Sequence, residues 1–247
     1  MKNQSVRNGI AELGIIVLGV LIALLAESGW NDYKGRMEGR AYVSRLSTEL
    51  KINLEYLDND IKWTQQACNS TETALVQIRG VEAPDQALIL RLAVSAATYP
   101  SPEYQRVTYD DLIATGNLSL IEDSILREQI VSVYTGFFES ISAWRPPKDT
   151  DLRKAVVRTL PSEYIVRVIA DCLVYPDTGK LSPVLQVCNT IPSSNSPEYW
   201  FGKLMSRPDV EGLLSERAWQ VCDFGRSMTG IKEGLETLIV KLDAAAE

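Results

Sequence analysis

The chain holds few side chains able to do bond chemistry, and their spacing narrows the choice further. None of its 247 residues is a histidine. That excludes histidine metal sites, Ser-His-Asp triads and Cys-His dyads. Two pairs of adjacent carboxylates, Asp110 with Asp111 and Glu122 with Asp123, have the chemistry to move protons or hold a hard cation. No calcium-loop glycine pattern surrounds either pair. Helix-capping and solvated-surface roles are therefore the expectation. Ser28, Ser44 and Ser132 lack a recognisable base or nucleophile elbow. No glycine-rich phosphate loop occurs. The sequence thus assigns no catalytic, cofactor-binding or metal-ligating residue.

Four cysteines remain: Cys68, Cys172, Cys188 and Cys222. None belongs to a C-x-x-C pair, which argues against zinc or thioredoxin-like chemistry. They read either as two disulfides in an oxidising periplasm or as buried free thiols in a cytoplasmic domain. The helix register derived below favours disulfides.

The elements that would position these residues begin with an apolar run. Leu13 to Ala26 contains no charge, Ile10 and Ala11 extend it, and Trp30 with Tyr33 mark an interfacial end. The span 9–30 approaches the ~20 residues needed to cross a bilayer core. A retained single-pass anchor is expected over a cleaved signal peptide or a buried core helix. Residues 1–8 then form a short N-terminal tail and residues 31–247 one extramembrane domain. Glu12 and Glu27 lie near the two ends of the span, where a carboxylate costs less than at its centre. Glu12, Ile15, Gly19, Ala23, Ala26, Glu27 and Trp30 fall on one helical stripe. Gly19 and Ala23 form a small-xxx-small pair that lets a second helix approach closely. The stripe reads as an interface with another membrane helix, a copy of the chain included, or as a plain anchor whose carboxylates reach for water. Basic residues after the span (Lys34, Arg36, Arg40, Arg45) favour the domain inside, whereas the cysteines favour it outside.

The domain reads as helices. From Arg36 to Arg79 apolar residues recur at three- and four-residue steps, and Gly80 with Pro84 end the run. Further helices are expected at Asp85 to Ala97, Tyr109 to a left-handed stop at Gly116, Asp123 or Ser124 to Trp144, Asp149 to Thr159, and Ser162 to Val174. Tyr175 to Pro197, with four prolines, reads as a long irregular loop. Tyr199, Trp200 and Phe201 beside it read as core packing or as an exposed partner patch. From Pro208 to Ala246, Leu214, Val221, Met228, Leu235 and Leu242 recur every seven residues. Phe224, Ile231 and Leu238 supply a second seam position.

A heptad seam needs a partner, and the first long helix is the nearest one. If Cys68 meets Cys222 across antiparallel helices, the numbers of facing residues sum to 290. The helices then overlap over about 50 Å at 1.5 Å per residue. Cys172 would pair with Cys188, although four cysteines allow three connectivities. The expected fold class is all-α: an N-terminal transmembrane helix continuing into a helical bundle with two long antiparallel helices.

Three stretches, LIALLAESGWNDYKGR, YVSRLSTELKINL and TYDDLIATGNLSLIEDSILREQIVSVY, carry a resemblance. The chain resembles an uncharacterised family of bacterial single-pass membrane proteins. Its marks are an anchor ending in Trp30 and Asn31 and the element Thr108, Leu112, Gly116, Leu118, Leu120, Ile121. The resemblance covers roughly the first 135 residues and implies architecture but no activity.

The net charge of −7 disfavours nucleic acid as a partner. The resulting expectation is a non-enzymatic accessory or scaffold subunit of an inner-membrane complex, with a cytoplasmic N-terminus and a periplasmic domain. It would have no cofactor, and its partners would be the lipid bilayer and either other integral subunits or a second copy. A periplasmic ligand sensor and a membrane-anchored hydrolase lacking histidine are the alternatives.

Overall fold

The computed structural model describes residues 2–80, 83–98, 104–144, 150–174, 184–185 and 196–246, without the side chains of 2–16, 142–144, 171–174 and 184–185. Among these the protein is helical, apart from one two-residue antiparallel bridge.

One helix, α1 (Lys2–Gly80), runs unbroken from the start of the expected anchor into the domain. No glycine or proline signal interrupts it between Trp30 and Arg79 strongly enough to turn the chain. Its partner is α9 (Val210–Ala246), and their packing is the largest contact between elements. The expected register is observed. Ser47 with Asp243, Asp58 with Lys232, Cys68 with Cys222, and Arg79 with Glu211 each sum to 290. The heptad residues Leu214, Val221, Met228, Leu235 and Leu242 are all buried, as are Phe224 and Leu238, whereas Ile231 is only partly covered.

The shorter helices form an outer layer, some packed on α1 or α9 and some on one another. They are α2 (Gln86–Ala97), α3 (Val107–Thr115), α4 (Ser124–Val131), α5 (Phe138–Trp144), α6 (Asp151–Thr159), α7 (Ser162–Cys172) and α8 (Pro197–Met205). Local chemistry sets their ends. Asp85 caps α2 by accepting from the Leu88 amide, Thr150 caps α6 through Arg153, and Asp123 caps α4 through Ile125 and Leu126. Gly116 ends α3 in the left-handed region, at φ 71°. A single core cluster joins α1, α9 and this outer layer.

Four expectations need correction. Ser124 to Trp144 is not one α-helix: residues Ser132–Phe137 widen into a π-helical turn. Leu173 and Val174 leave the helix and pair with Val184 and Leu185, where β-branched and apolar residues suit a bridge. The expected loop of 175–197 ends one residue early, because Pro197 opens helix α8 at its first turn. The helix of residues 109–116 begins earlier, at Val107. The rest of the long proline-rich loop lies outside the described residues, as do Cys188 and the side chain of Cys172, so their expected pairing does too.

Gly39 shows how closely α1 meets its neighbours. A Cβ there would overlap the Leu120 carbonyl oxygen, at the end of a 3₁₀ turn, Asn117–Leu120. Glycine is needed for that approach.

Among the described residues no helix is long and apolar enough to cross a membrane. The side chains of residues 9–16, the first part of the expected span, are not among them, Glu12 and Ile15 included.

Candidate functional site

Two regions of α1 stand out, one buried and polar, one exposed and apolar. The buried region is a ladder of polar side chains on the flank facing α2–α4. Glu49 is only 5% exposed. Its Oε1 accepts from the Tyr134 hydroxyl at 2.5 Å and its Oε2 from the Thr108 amide at 2.6 Å. One turn on, Asn53 donates to the Gln105 carbonyl at 2.8 Å and accepts from the Gln105 amide at 2.7 Å. Two turns further, Asp60 accepts from Tyr104 at 3.1 Å. At the other end, the Tyr42 hydroxyl donates to Asp111 at 3.1 Å and accepts from Asn117 at 3.2 Å.

This ladder holds the segment 104–117 against α1. Buried polar groups must be paired or they destabilise, and each rung takes a backbone or side-chain group from that segment. Tyr134 stacks on Tyr109 with ring centroids 4.3 Å apart and meets Phe138 edge-on at 5.3 Å. Burial, then the hydrogen bond to Glu49, holds the Tyr134 phenol far above its ordinary range. It stays a donor at all physiological pH values. The carboxylate and phenol could in principle exchange a proton, but no described groove opens onto them. The arrangement suits a clamp better than catalysis.

The carboxylate pairs behave as capping and surface groups. Asp123 is a helix cap, Asp111 accepts from Tyr42, Asp110 pairs with Arg106 at 3.5 Å, and Glu122 is exposed. Cys68, Cys222 and Glu72 bring three possible metal-ligand atoms within 4.8 Å. The two sulfurs are joined as a disulfide, with Cα atoms 5.0 Å apart, and so offer no thiolate.

The exposed region is the N-terminal part of α1. Every residue from Val17 to Lys34 is exposed, a length of roughly 27 Å at 1.5 Å per residue. Val17, Leu18, Val20, Leu21, Ile22, Leu24 and Leu25 are 51–72% exposed. The predicted stripe residues Gly19, Ala23, Ala26, Glu27 and Trp30 lie within this stretch. Nothing lies within 4 Å of where a Cβ on Gly19 would be. The helix first meets the domain at Gly35 and Gly39, against Leu120.

The aromatic triplet divides between the two expected roles. Tyr199 is 55% exposed, while Trp200 and Phe201 are half-buried and pack against the core. Tyr199 meets Trp200 edge-on, and Lys203 lies over the indole.

Sequence reasoning missed Arg217. Stepping back by sevens from Phe224 lands on it, so an arginine occupies a seam position. It is 2% exposed, its Nε donates to the Ala96 carbonyl at 2.8 Å, and its guanidinium lies over Trp63. It thereby satisfies a carbonyl at the C-terminal end of α2, where a cation suits the helix dipole.

Comparison with known proteins adds no relative: no protein family, no curated protein and no solved structure matches this chain.

Proposed function

We propose that the chain is a single-pass membrane protein acting as a non-enzymatic accessory or scaffold subunit of an inner-membrane assembly. The anchor would span residues 9–30 and bring the helical domain to the membrane surface. One observation carries the reading: a continuous helix leaves the bundle and exposes an apolar stretch, 17–25, while the bundle's own polar residues are sealed inward. Contiguous exposed apolar surface of this kind marks an interaction or membrane surface. Moving its seven large side chains into lipid is worth on the order of 10 kcal/mol.

The small residues Gly19 and Ala23 give the anchor a face for a second helix. The cystine between Cys68 and Cys222 supports a domain in an oxidising compartment, hence a periplasmic one. A groove lined by Thr150, Asp151, Lys154, Glu216, Arg217 and Gln220 is the polar cleft a sensor would use; the exposed apolar stretch, which that reading leaves without a role, favours the anchored scaffold.

The test is vesicle flotation followed by gentle detergent extraction and mass spectrometry of the extracted assembly. The full chain is expected to float with vesicles and to extract with a stoichiometric second subunit or second copy. Gly19→Leu with Ala23→Leu is expected to release that subunit while flotation persists. A chain that stays with the aqueous phase removes the anchor. A floating monomer with no stoichiometric companion removes the scaffold role.

A further inference from the structure

The groove that opens at the foot of the domain, where α1 leaves it, has two walls of opposite charge. It has a volume of about 220 Å³ and is lined on one side by Arg36 and Arg40 and on the other by Glu122, Asp123 and the end of α9 at Ala245. That is far more than the ~10–15 Å³ a single water needs. Gly39 and Leu120, in close contact, form its floor.

The charges do not neutralise one another. Arg36 and Arg40 are both exposed and have no ion-pair partner among the described residues. Asp123 uses Oδ1 to cap α4, through Ile125 and Leu126. The last carbonyls of α9 have no intrahelical donors and carry the negative end of its dipole. The groove therefore presents a cationic wall facing an anionic wall, with open space between.

We propose that this groove binds the headgroup of one phosphatidylethanolamine molecule, a reading that rests on the membrane anchor proposed above. The phosphate would lie against Arg36 and Arg40, which are one turn apart on the same face of α1. The primary ammonium would donate to Glu122, Asp123 or the α9 carbonyls. A quaternary ammonium has no N–H to donate, so phosphatidylcholine fits less well. An anionic headgroup such as phosphatidylglycerol would bring hydroxyl donors to the acidic wall but no cation, and so fits less well.

The height is suitable. If residue 30 marks the hydrocarbon edge, Arg36 stands about 9 Å and Arg40 about 15 Å along the helix beyond it. Side chains on a helix lean toward its N-terminus, which here is toward the bilayer. Long arginine side chains reach the headgroup layer from such positions. The residues Trp30 and Tyr33, with ring centroids 6.0 Å apart, sit just below as interfacial aromatics.

The experiment uses the full chain reconstituted in vesicles of equimolar phosphatidylethanolamine, phosphatidylcholine and phosphatidylglycerol. Flotation is scored first, then the lipid retained on the protein by native mass spectrometry. The wild type is expected to retain one phosphatidylethanolamine, enriched about tenfold over phosphatidylcholine, as one to two charge-assisted hydrogen bonds would give. Arg36→Gln with Arg40→Gln is expected to float normally and to retain lipid in the bulk ratio. Lys62→Gln with Arg226→Gln, an equal loss of charge at exposed sites elsewhere on α1 and α9, is expected to keep the enrichment. Failure to float overturns the anchor and this site with it. Normal flotation without enrichment, enrichment of phosphatidylglycerol instead, or enrichment that survives the double arginine variant overturns the headgroup site alone.

Discussion

From Val17 to Lys34 the first helix exposes its apolar side chains; from Tyr42 to Arg79 the same helix buries two carboxylates, an amide and several hydroxyls. The two segments invert the usual rule that apolar groups lie inside and polar ones outside. The inversion has a different cause in each. In the domain, Glu49, Asn53 and Asp60 are buried because each finds a partner on 104–134 that satisfies it. In the projecting segment the apolar side chains from Val17 to Leu25 are all exposed, with none packed against the core of the described residues. A helix that meets the domain through hydrogen bonds at specific rungs is held in one register. A helix that meets its surroundings only through apolar surface is free to take lipid or another helix.

The largest expected break in this comparison is on the domain side. The Cys68–Cys222 bond closes a loop spanning a sequence separation of 154 residues. By loop-closure entropy it contributes about 5 kcal/mol, an upper figure because denatured chains keep residual structure. Cys68→Ala with Cys222→Ala should lower the urea midpoint of the domain sharply. Flotation with vesicles should not change. A double variant that unfolds at the wild-type midpoint would mean that α1 and α9 are held by the heptad seam alone.

The reverse change belongs to the projecting segment. Leu21→Asp places a carboxylate near the middle of the exposed apolar stretch, at a cost of about 2.5–3.5 kcal/mol for membrane insertion. The urea midpoint should stay where it was, since Leu21 touches no part of the bundle core. Flotation should fall. A lowered midpoint with intact flotation would reverse the assignment of the two segments.

The polar ladder can be sharpened more finely. Tyr134→Phe removes the donor to Glu49 Oε1 and leaves a buried carboxylate oxygen short of a partner. The expected loss is about 1.5–3 kcal/mol, as for a hydrogen bond to a charged group. Hydrogen exchange should show the loss first in Val107–Thr115, the helix the ladder holds down. A uniform loss over the whole domain would make Tyr134 a general core residue instead of a clamp.

These two segments were not equally legible in the sequence. The α1/α9 register followed from two cysteines and a heptad, because a disulfide fixes one pair and a coiled seam propagates it. Caps at Asp85 and Asp123 and the stop at Gly116 were readable because each acts within a few residues of itself. The ladder was not. Glu49, Asn53 and Asp60 look like solvated positions until residues between 44 and 85 positions away in sequence arrive to pair with them. Arg217 was hidden for a similar reason, since its partner is the distant carbonyl of Ala96. Helix α8 escaped notice because its serine and proline signals were absorbed into the preceding loop, although proline at a first helical turn is a start signal. The groove at the foot of the domain joins three separate stretches of chain, and only the cap at Asp123 within them had a local signature.

The smallest effect lies where the two segments meet, at the end of α9. Asp243 accepts from Lys51 at 2.8 Å and from Ser47 at 2.5 Å. These hydrogen bonds, Lys51 first, lower its pKa below the ordinary carboxylate value. A carboxylate with a depressed pKa stabilises the fold above its unfolded value, near 3.9, and that contribution is lost as pH falls through the folded value. Lys232, raised chiefly by its hydrogen bond to Asp58, works in the opposite direction: its contribution is complete below the ordinary lysine value and is lost at high pH. Both pairs are exposed and screened by salt, so the global midpoint should barely move. Protection of the last turn of α9 should nevertheless fall below pH 4 in the wild type, less so at high salt. In Asp243→Asn it should be low at every pH. If that turn keeps its protection at acid pH, then Leu242 and Ile239, both buried, hold the end of α9 without the ionic contact. The acidic wall at the foot of the domain would then depend on packing and not on charge.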